Sequence, residues 1–364
     1  MFEQEKQVQK AGDNSQQFQI IVQGIDEKRV REIFREMYEV AKKDFSQDAY
    51  MLANERVDRF EERFVPKIMR IEGAMEMFAD PSFQFLLRSA NKTAASTERE
   101  ADYDMLSELL VHRIRRGENR KIRVGINKAV EIVDQVSDEA LLGLTVAFVV
   151  MNYFPIVGNI SEGLLIMNDL FGKFACKDLP SGTEWIEHLD LLDAVRISTF
   201  QSFKKMEEYY ANSLPGYACA GIKKESEIYY KAVEILKNEG LPESIFVGNE
   251  LLEGYVRIPI ISSEQIKDLV FNGYKLWNGQ IIPVNIILNE DQKKAVQDVW
   301  NLYDKAAEEE AKQAFKAKLD QYSYIKQVKD WWNAISVHFS VTAVGKVLAH
   351  ANAKRCDEKI PDLD

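Results

Sequence analysis

Three cysteines, four histidines and nine prolines in 364 residues leave several kinds of chemistry short of parts. Cys176, Cys219 and Cys356 lie far apart, form no CxxC and are odd in number. That points to free thiols in a reducing compartment and excludes a disulfide scaffold or a cysteine-built zinc site. With so few histidines a multi-histidine metal enzyme is not expected, and no metal or cofactor is expected. There is no GxxxxGK(S/T), no GxGxxG after a strand and no GxSxG elbow, so the usual phosphate-loop, dinucleotide and hydrolase signatures are missing. No Arg is followed four to six residues later by His, the usual signature of small helical ribonucleases.

The chain also lacks a long apolar run. Its best stretch, Ala140 to Val157, holds about a dozen uninterrupted apolar residues, short of the ~20 that span a bilayer. Thr145, Asn152, Pro155 and Gly158 interrupt or end it. A buried core helix is the expected reading and a membrane-active segment the alternative. The N-terminus, Met1-Phe2-Glu3-Gln4-Glu5-Lys6, shows no basic region followed by an apolar core, so the expectation is a cytoplasmic protein. A net charge of −11 is the wrong sign for general nucleic-acid binding.

What is present is helical periodicity over a 46% hydrophobic chain. The organising block runs from Asp80 to Pro155 as four helices in series. Asp80-Pro81-Ser82 is a helix start, since Pro81 presets φ and brings no amide donor to leave unsatisfied. Phe83, Leu86, Leu87 and Ala90 follow at helical spacing. Thr97 with Glu100 resembles a capping box ahead of Met105, Leu106, Leu109 and Leu110. Ser137-Asp138-Glu139 caps the fourth helix, apolar on almost every side from Ala140 to Met151. Upstream, charge pairs such as Glu55-Arg59 mark solvated helix faces.

Four regions are expected: a mobile or strand-forming tail over 1–24, a helical domain over 25–215, a small α+β module over 216–287 and a C-terminal helical region over 288–364. The fold class is mainly α, with one long helix expected from Asn289 or Asp291 to about Tyr322. Phe18, Ile20 and Val22 share one face of a short strand with no local partner, which suggests self-association by strand addition. Ala307, Ala311 and Ala314 offer a second seam for a helix to approach. A homo-oligomer is therefore expected, and another protein is a further candidate partner.

The strongest charge bias lies between the second and third helices of the block. Arg113, Arg115, Arg116, Arg120, Lys121, Arg123 and Lys128 stand against Glu118 in an otherwise acidic chain. Such a cluster could hold phosphate or an acidic partner; cations answering a helix C-terminus explain part of it equally well. No stacking aromatics are interleaved, as single-stranded nucleic acid would favour. Lys346, His350 and Lys354 repeat at i,i+4 on the last helix as a second basic stripe. Glu184 and His188 have metal-ligand spacing, but no second histidine is nearby, so surface ion pairing is the expected role. Glu98, Glu100, Asp102, Asp104 and Glu108 read as acids at a helix start.

Gly12-Asp13-Asn14-Ser15, Asp80-Pro81-Ser82-Phe83-Gln84, Thr97 to Tyr103, Leu106 to Leu110 and Thr342-Ala343-Val344-Gly345-Lys346 together resemble a family of uncharacterised bacterial proteins known by LPO/Vpar locus tags. The resemblance covers most of the chain and implies a bacterial cytoplasmic protein without an assigned activity. The proline-led helix start, the Leu-Leu helix and the closing Thr-x-x-Gly helix are more loosely similar to alpha-type abortive-infection proteins. Asp80 stands where that family has histidine, and Gly345 is followed by no aromatic. That similarity implies a phage-defence setting. The expected function is a non-enzymatic interaction or oligomerisation protein. The alternatives are an enzyme or nuclease with a site assembled from distant residues, and a membrane-active effector using residues 140–155.

Overall fold

The computed structural model describes residues 27–41, 47–117, 119–175, 178–277 and 280–363. The strand expected around Phe18, Ile20 and Val22 lies outside them. The described chain is mainly α-helical and falls into two compact units, each discontinuous in sequence. The first takes residues up to 149, 180–200 and 337–364; the second takes 150–179 and 201–336.

In the first unit, α1 (Glu27–Ala41), α2 (Gln47–Ile68), α3 (Pro81–Ser96), α4 (Glu100–Arg116), α5 (Arg120–Ile132) and α6 (Asp138–Asn152, its last three residues counted with the second unit) follow in order. The organising block is therefore helical where its periodicity placed helices. Asp80 caps α3, its side chain accepting from the Ser82 amide at 2.9 Å. The expected Thr97–Glu100 box is not formed. The Thr97 hydroxyl donates to buried Asp102 instead, and Glu100 reaches Arg59 and Arg63 on α2. Arg99 then ties the start of α4 to the next turn, meeting Asp102 at 2.6 Å, the Val133 carbonyl at 2.9 Å and the Val136 carbonyl at 2.7 Å.

Two helices of this unit are buried almost all round. In α6, Ala140, Leu144, Thr145, Ala147 and Val149 are wholly inaccessible. The second is the closing helix α14 (Ala343–Cys356), in which every residue from Val347 to Ala353 is buried. Its core positions are mostly small, which lets neighbours approach closely. A Cβ on Gly125 of α5 would come within 3.0 Å of the Ala343 carbonyl. The polar pair this burial creates is matched internally: Asn352 donates to the Thr145 hydroxyl at 2.8 Å, and Thr145 donates to the Leu141 carbonyl at 2.7 Å.

A short antiparallel pair, β1 (Val195–Ser198) with β7 (His338–Val341), sets the entry to α14, with Val195 opposite Val341. α8 (Glu184–Leu191) precedes β1. Thr342 caps α14 and donates back to the Asp193 carbonyl at 2.6 Å. At Gly345 a Cβ would lie 2.0 Å from the Ala194 carbonyl, so the Thr-x-x-Gly pattern is a packing joint.

The second unit holds α7 (Ile160–Gly172), α9 (Met206–Ser213), α10 (Glu227–Asn238), α11 (Glu290–Asn301), α12 (Glu308–Leu319) and α13 (Ser323–Ala334). β2 (Ile222–Lys223), β4 (Tyr255–Arg257) and β3 (Val247–Gly248) form an antiparallel sheet in that spatial order; β5 (Val270–Trp277) and β6 (Gln280–Ile287) form a separate hairpin. The whole 216–287 stretch lies within this unit. The long helix expected from residue 289 to 322 is broken between Asn301 and Glu308. There the Asp304 amide donates to the Gly221 carbonyl and its carboxylate accepts from Ala306 at 2.9 Å, while the Tyr303 hydroxyl accepts from the Ile258 amide at 2.8 Å. Contacts with the sheet region outweigh helical periodicity at this point. Ala311 of the expected seam is wholly buried against Ala220 and Leu252 of the same unit.

Val146 is 1% exposed on α6. Val146→Asp places an unpaired charge there, costing about 3 kcal/mol or more. The expected outcome is loss of soluble expression; a soluble variant with unchanged thermal unfolding contradicts the core assignment.

Candidate anion-binding pocket

The arginine-rich turn between α4 and α5 wraps a pocket of about 540 Å³ within the first unit. It forms because α4 ends in Arg113, Arg115 and Arg116, cations that answer its C-terminal dipole. Gly117 turns the chain, and Asn119 then caps α5 by accepting from the Lys121 amide at 3.0 Å. Met77 and Asp80 supply the opposite wall.

Arg113 sits at the floor. Arg113 is only 2% exposed as a residue, yet its Nε has no hydrogen-bond partner. Nη2 donates to the Ser82 hydroxyl at 2.9 Å and lies 3.4 Å from Asp80 Oδ2; Ser82 in turn donates to that carboxylate at 2.8 Å. The single carboxylate thus caps α3 and partly neutralises the buried cation. A Cβ at residue 117 would lie 1.8 Å from Arg113 Nη1, so glycine is required for the guanidinium to lie there.

The electrostatics are under-compensated. Burial lowers the pKa of Arg113, Asp80 opposes this, and Arg123 lowers it further. Burial raises the Asp80 carboxyl, but its bonds to Ser82 and the charges of Arg113 and Arg123 outweigh that and hold it below the usual range. Two guanidiniums are therefore held within electrostatic range by the fold, with one carboxylate between them. Among the described residues, Asp80 is the acidic side chain that lines the site.

Of the basic residues singled out in the sequence, Arg113, Arg115, Arg116 and Arg123 line this pocket together with Ile114 and Ile122. Arg120 and Lys121 are exposed on the first turn of α5 and do not line it. Lys346 is exposed on α14. His350 is 5% exposed and shares its Nε2 with the Pro361 carbonyl at 2.8 Å. Lys354 pairs with Asp362, which also takes Arg115. That stripe is thus engaged by the C-terminal segment, whose Ile360 is 5% exposed.

Sequence reasoning counted His112 and Gly117 only as members of the basic segment, and gave no site role to Met77 of the wall or to Ser82, whose hydroxyl accepts from Arg113. His112 and His350 have ring centroids 5.9 Å apart, and His112 Nε2 is buried without a partner. Burial, then the neighbouring His350, depress the His112 pKa to about 4. The adjacency of His112 and Arg113 was a signal; the proximity of residue 350 was not readable.

The other positions are otherwise employed. The His188 Nε2 accepts from the Ser137 amide at 3.2 Å, helping to start α6. Among the described residues, no three His, Cys, Asp or Glu side chains gather as metal ligands, and no helix is long and apolar enough to cross a membrane. Glu100, Asp104 and Glu108 bridge to α2 through Arg59, Arg63 and Lys67. A second pocket of about 480 Å³ lies in the other unit beside Trp300, Cys219 and Lys312. There Lys312 already meets Glu308 at 2.6 Å, and burial pushes the Cys219 thiol up to about 11. It presents neither an under-compensated cation nor a thiolate.

A protein-family model whose description reads ":-like" matches residues 24–363. The chain belongs to that family. No curated protein and no solved structure matches it.

Two outcomes test the geometry. Gly117→Ala should push the Arg113 guanidinium from its seat and cost about 1–3 kcal/mol, measured by chemical unfolding; an unchanged midpoint removes the steric argument. For His112 the folded pKa of about 4 lies below the ordinary value of 6.5. The unfolded chain takes up the proton first, so the stability is present above pH 6.5 and lost as pH falls toward 4. His350, Asp362, Arg116 and Lys354 surround it electrostatically, so the comparison is with His112→Gln. The wild type should lose melting temperature more steeply between pH 6.5 and 4; parallel profiles contradict the assignment.

Proposed function

We propose that this family member is a non-enzymatic interaction protein whose arginine-lined pocket receives an anion. One observation carries the reading: the buried Arg113 and its neighbour Arg123 line one pocket in which Asp80 is the acidic side chain among the described residues. An ordinary solvated basic turn would expose its cations to water. Here the most buried one pays desolvation without full pairing, which favours a site that an anion completes.

The loose resemblance of its helix starts to abortive-infection proteins supports a proposed phage-defence setting in the bacterial cytoplasm, with anion binding as the event that changes its associations. The near-complete burial of α6 supports a core role for residues 140–151 over a membrane-active one.

Melting temperature in sodium pyrophosphate or sulfate, against sodium chloride at equal ionic strength, is the direct test. A ligand bound only by the fold should raise it by about 4 °C or more at roughly a hundredfold excess over Kd. Arg116→Gln combined with Arg123→Gln should remove the rise. If no anion raises the melting temperature, or the double variant responds equally, the pocket is not an anion site.

A further inference from the structure

We propose that the segment after α14, residues 357–363, is an autoinhibitory strap whose Asp362 competes with an incoming anion for Arg115, a role that rests on the anion reading above. Arg115 belongs to both structures. It lines the arginine pocket and also pairs with Asp362. The strap begins where Asp357 ends α14 in a turn. The Lys359 amide donates to the Asp357 carboxylate at 3.1 Å, and the Ile360 amide donates to the Asp357 carbonyl at 3.0 Å.

Three contacts anchor the strap without help from α4. Ile360 is buried, and apolar burial favours the docked form. His350 Nε2 donates to the Pro361 carbonyl at 2.8 Å. Asp362 meets Lys354 of α14, whose side chain is mostly buried. The contact with Arg115 is of another kind: its two side chains are 39% and 40% exposed. Pairs that open to water contribute little to stability. This is therefore the contact the strap gives up at least cost, and it is the one that reaches the pocket.

The competition follows from charge. Burial raises the Asp362 carboxyl, but Lys354 and Arg115 outweigh that and hold it below the usual carboxylate range. Asp362 is thus a full negative charge at neutral pH, and Arg115 Nη1 donates to it. An anion drawn in by Arg113 and Arg123 brings like charge to a pocket that Arg115 also lines. It repels Asp362 and calls on the same guanidinium. Coupling between two such events is reciprocal. What the strap takes from anion affinity, the anion takes from the strap's hold on α4.

Two measurements on the full-length chain with sodium pyrophosphate test this. By titration calorimetry, Asp362→Asn should bind pyrophosphate about two- to fivefold more tightly than the wild type, the range set by an exposed pair. Glu358→Gln makes the same charge change on an exposed residue of the same segment and should bind as the wild type does. The second measurement needs no variant. Saturating pyrophosphate, against sodium chloride at equal ionic strength, should speed hydrogen exchange at the Lys359 and Ile360 amides. Binding by Asp362→Asn no tighter than by Glu358→Gln, or exchange unaffected by pyrophosphate, overturns the strap and leaves the anion reading standing. Binding by Asp362→Asn alone supports both. If neither the wild type nor Asp362→Asn binds pyrophosphate, both fall together.

Discussion

The contact of Arg113 with Ser82 and Asp80 joins the two helices on which the candidate site depends. Asp80 is first a helix cap, accepting from the Ser82 amide as α3 begins. Its second oxygen accepts from the Ser82 hydroxyl, and that hydroxyl accepts from Arg113. One carboxylate therefore starts a helix and partly neutralises a cation from the end of another. Gly117 leaves room for the guanidinium, and the chain then turns into α5 with Arg123 close enough to repel it. Geometry that serves local helix termination has gathered like charges around a space.

The closing helix supports this arrangement from behind. α14 packs against both α4 and α5, and its small residues fix those helices at close range. His350 on its buried side faces His112, the residue before Arg113. The C-terminal segment folds over the same edge, where Asp362 takes up Arg115 and Lys354. Thus one of the pocket's arginines is already partly satisfied from within, while the floor is not.

Much of the helical framework was legible in the sequence because it follows local rules. The α3 start needs only Asp80, Pro81 and Ser82, and α6 needs only an apolar run of limited length. The cluster of arginines was visible as composition. What could not be read was tertiary. Thr97 and Glu100 have capping-box spacing, yet Asp102 and the α2 arginines claim them. The 289–322 periodicity runs on through a point where Asp304 and Tyr303 bind the strand region instead. The i,i+4 stripe of Lys346, His350 and Lys354 suggested one basic surface; burial separates it into an exposed lysine and two residues facing the C-terminal segment. Nothing local says that Met77 and Asp80 face Arg123.

The second unit supplies the comparison that gives Arg113 its meaning. Arg257 on β4 is also a buried guanidinium with an unpartnered Nε. Its other nitrogens reach the carbonyls of Gly158, Gly216 and Ile258 at 2.5, 3.3 and 3.3 Å, and its charge lies over the Tyr217 ring at 5.9 Å. That residue is a strut: it stitches three backbone segments and faces no assigned basic pocket. Arg113 stitches far less, meeting one hydroxyl at good distance and one carboxylate at 3.4 Å. If its role were only to fill space, an apolar side chain of similar volume would serve as well or better, since buried charges return little net stability. Set beside Arg123 and opening onto a cavity, its cost is better understood as preorganisation. On the proposed anion-site reading, the fold would hold donors and charge in place before an anion arrives, so that binding would not have to order them.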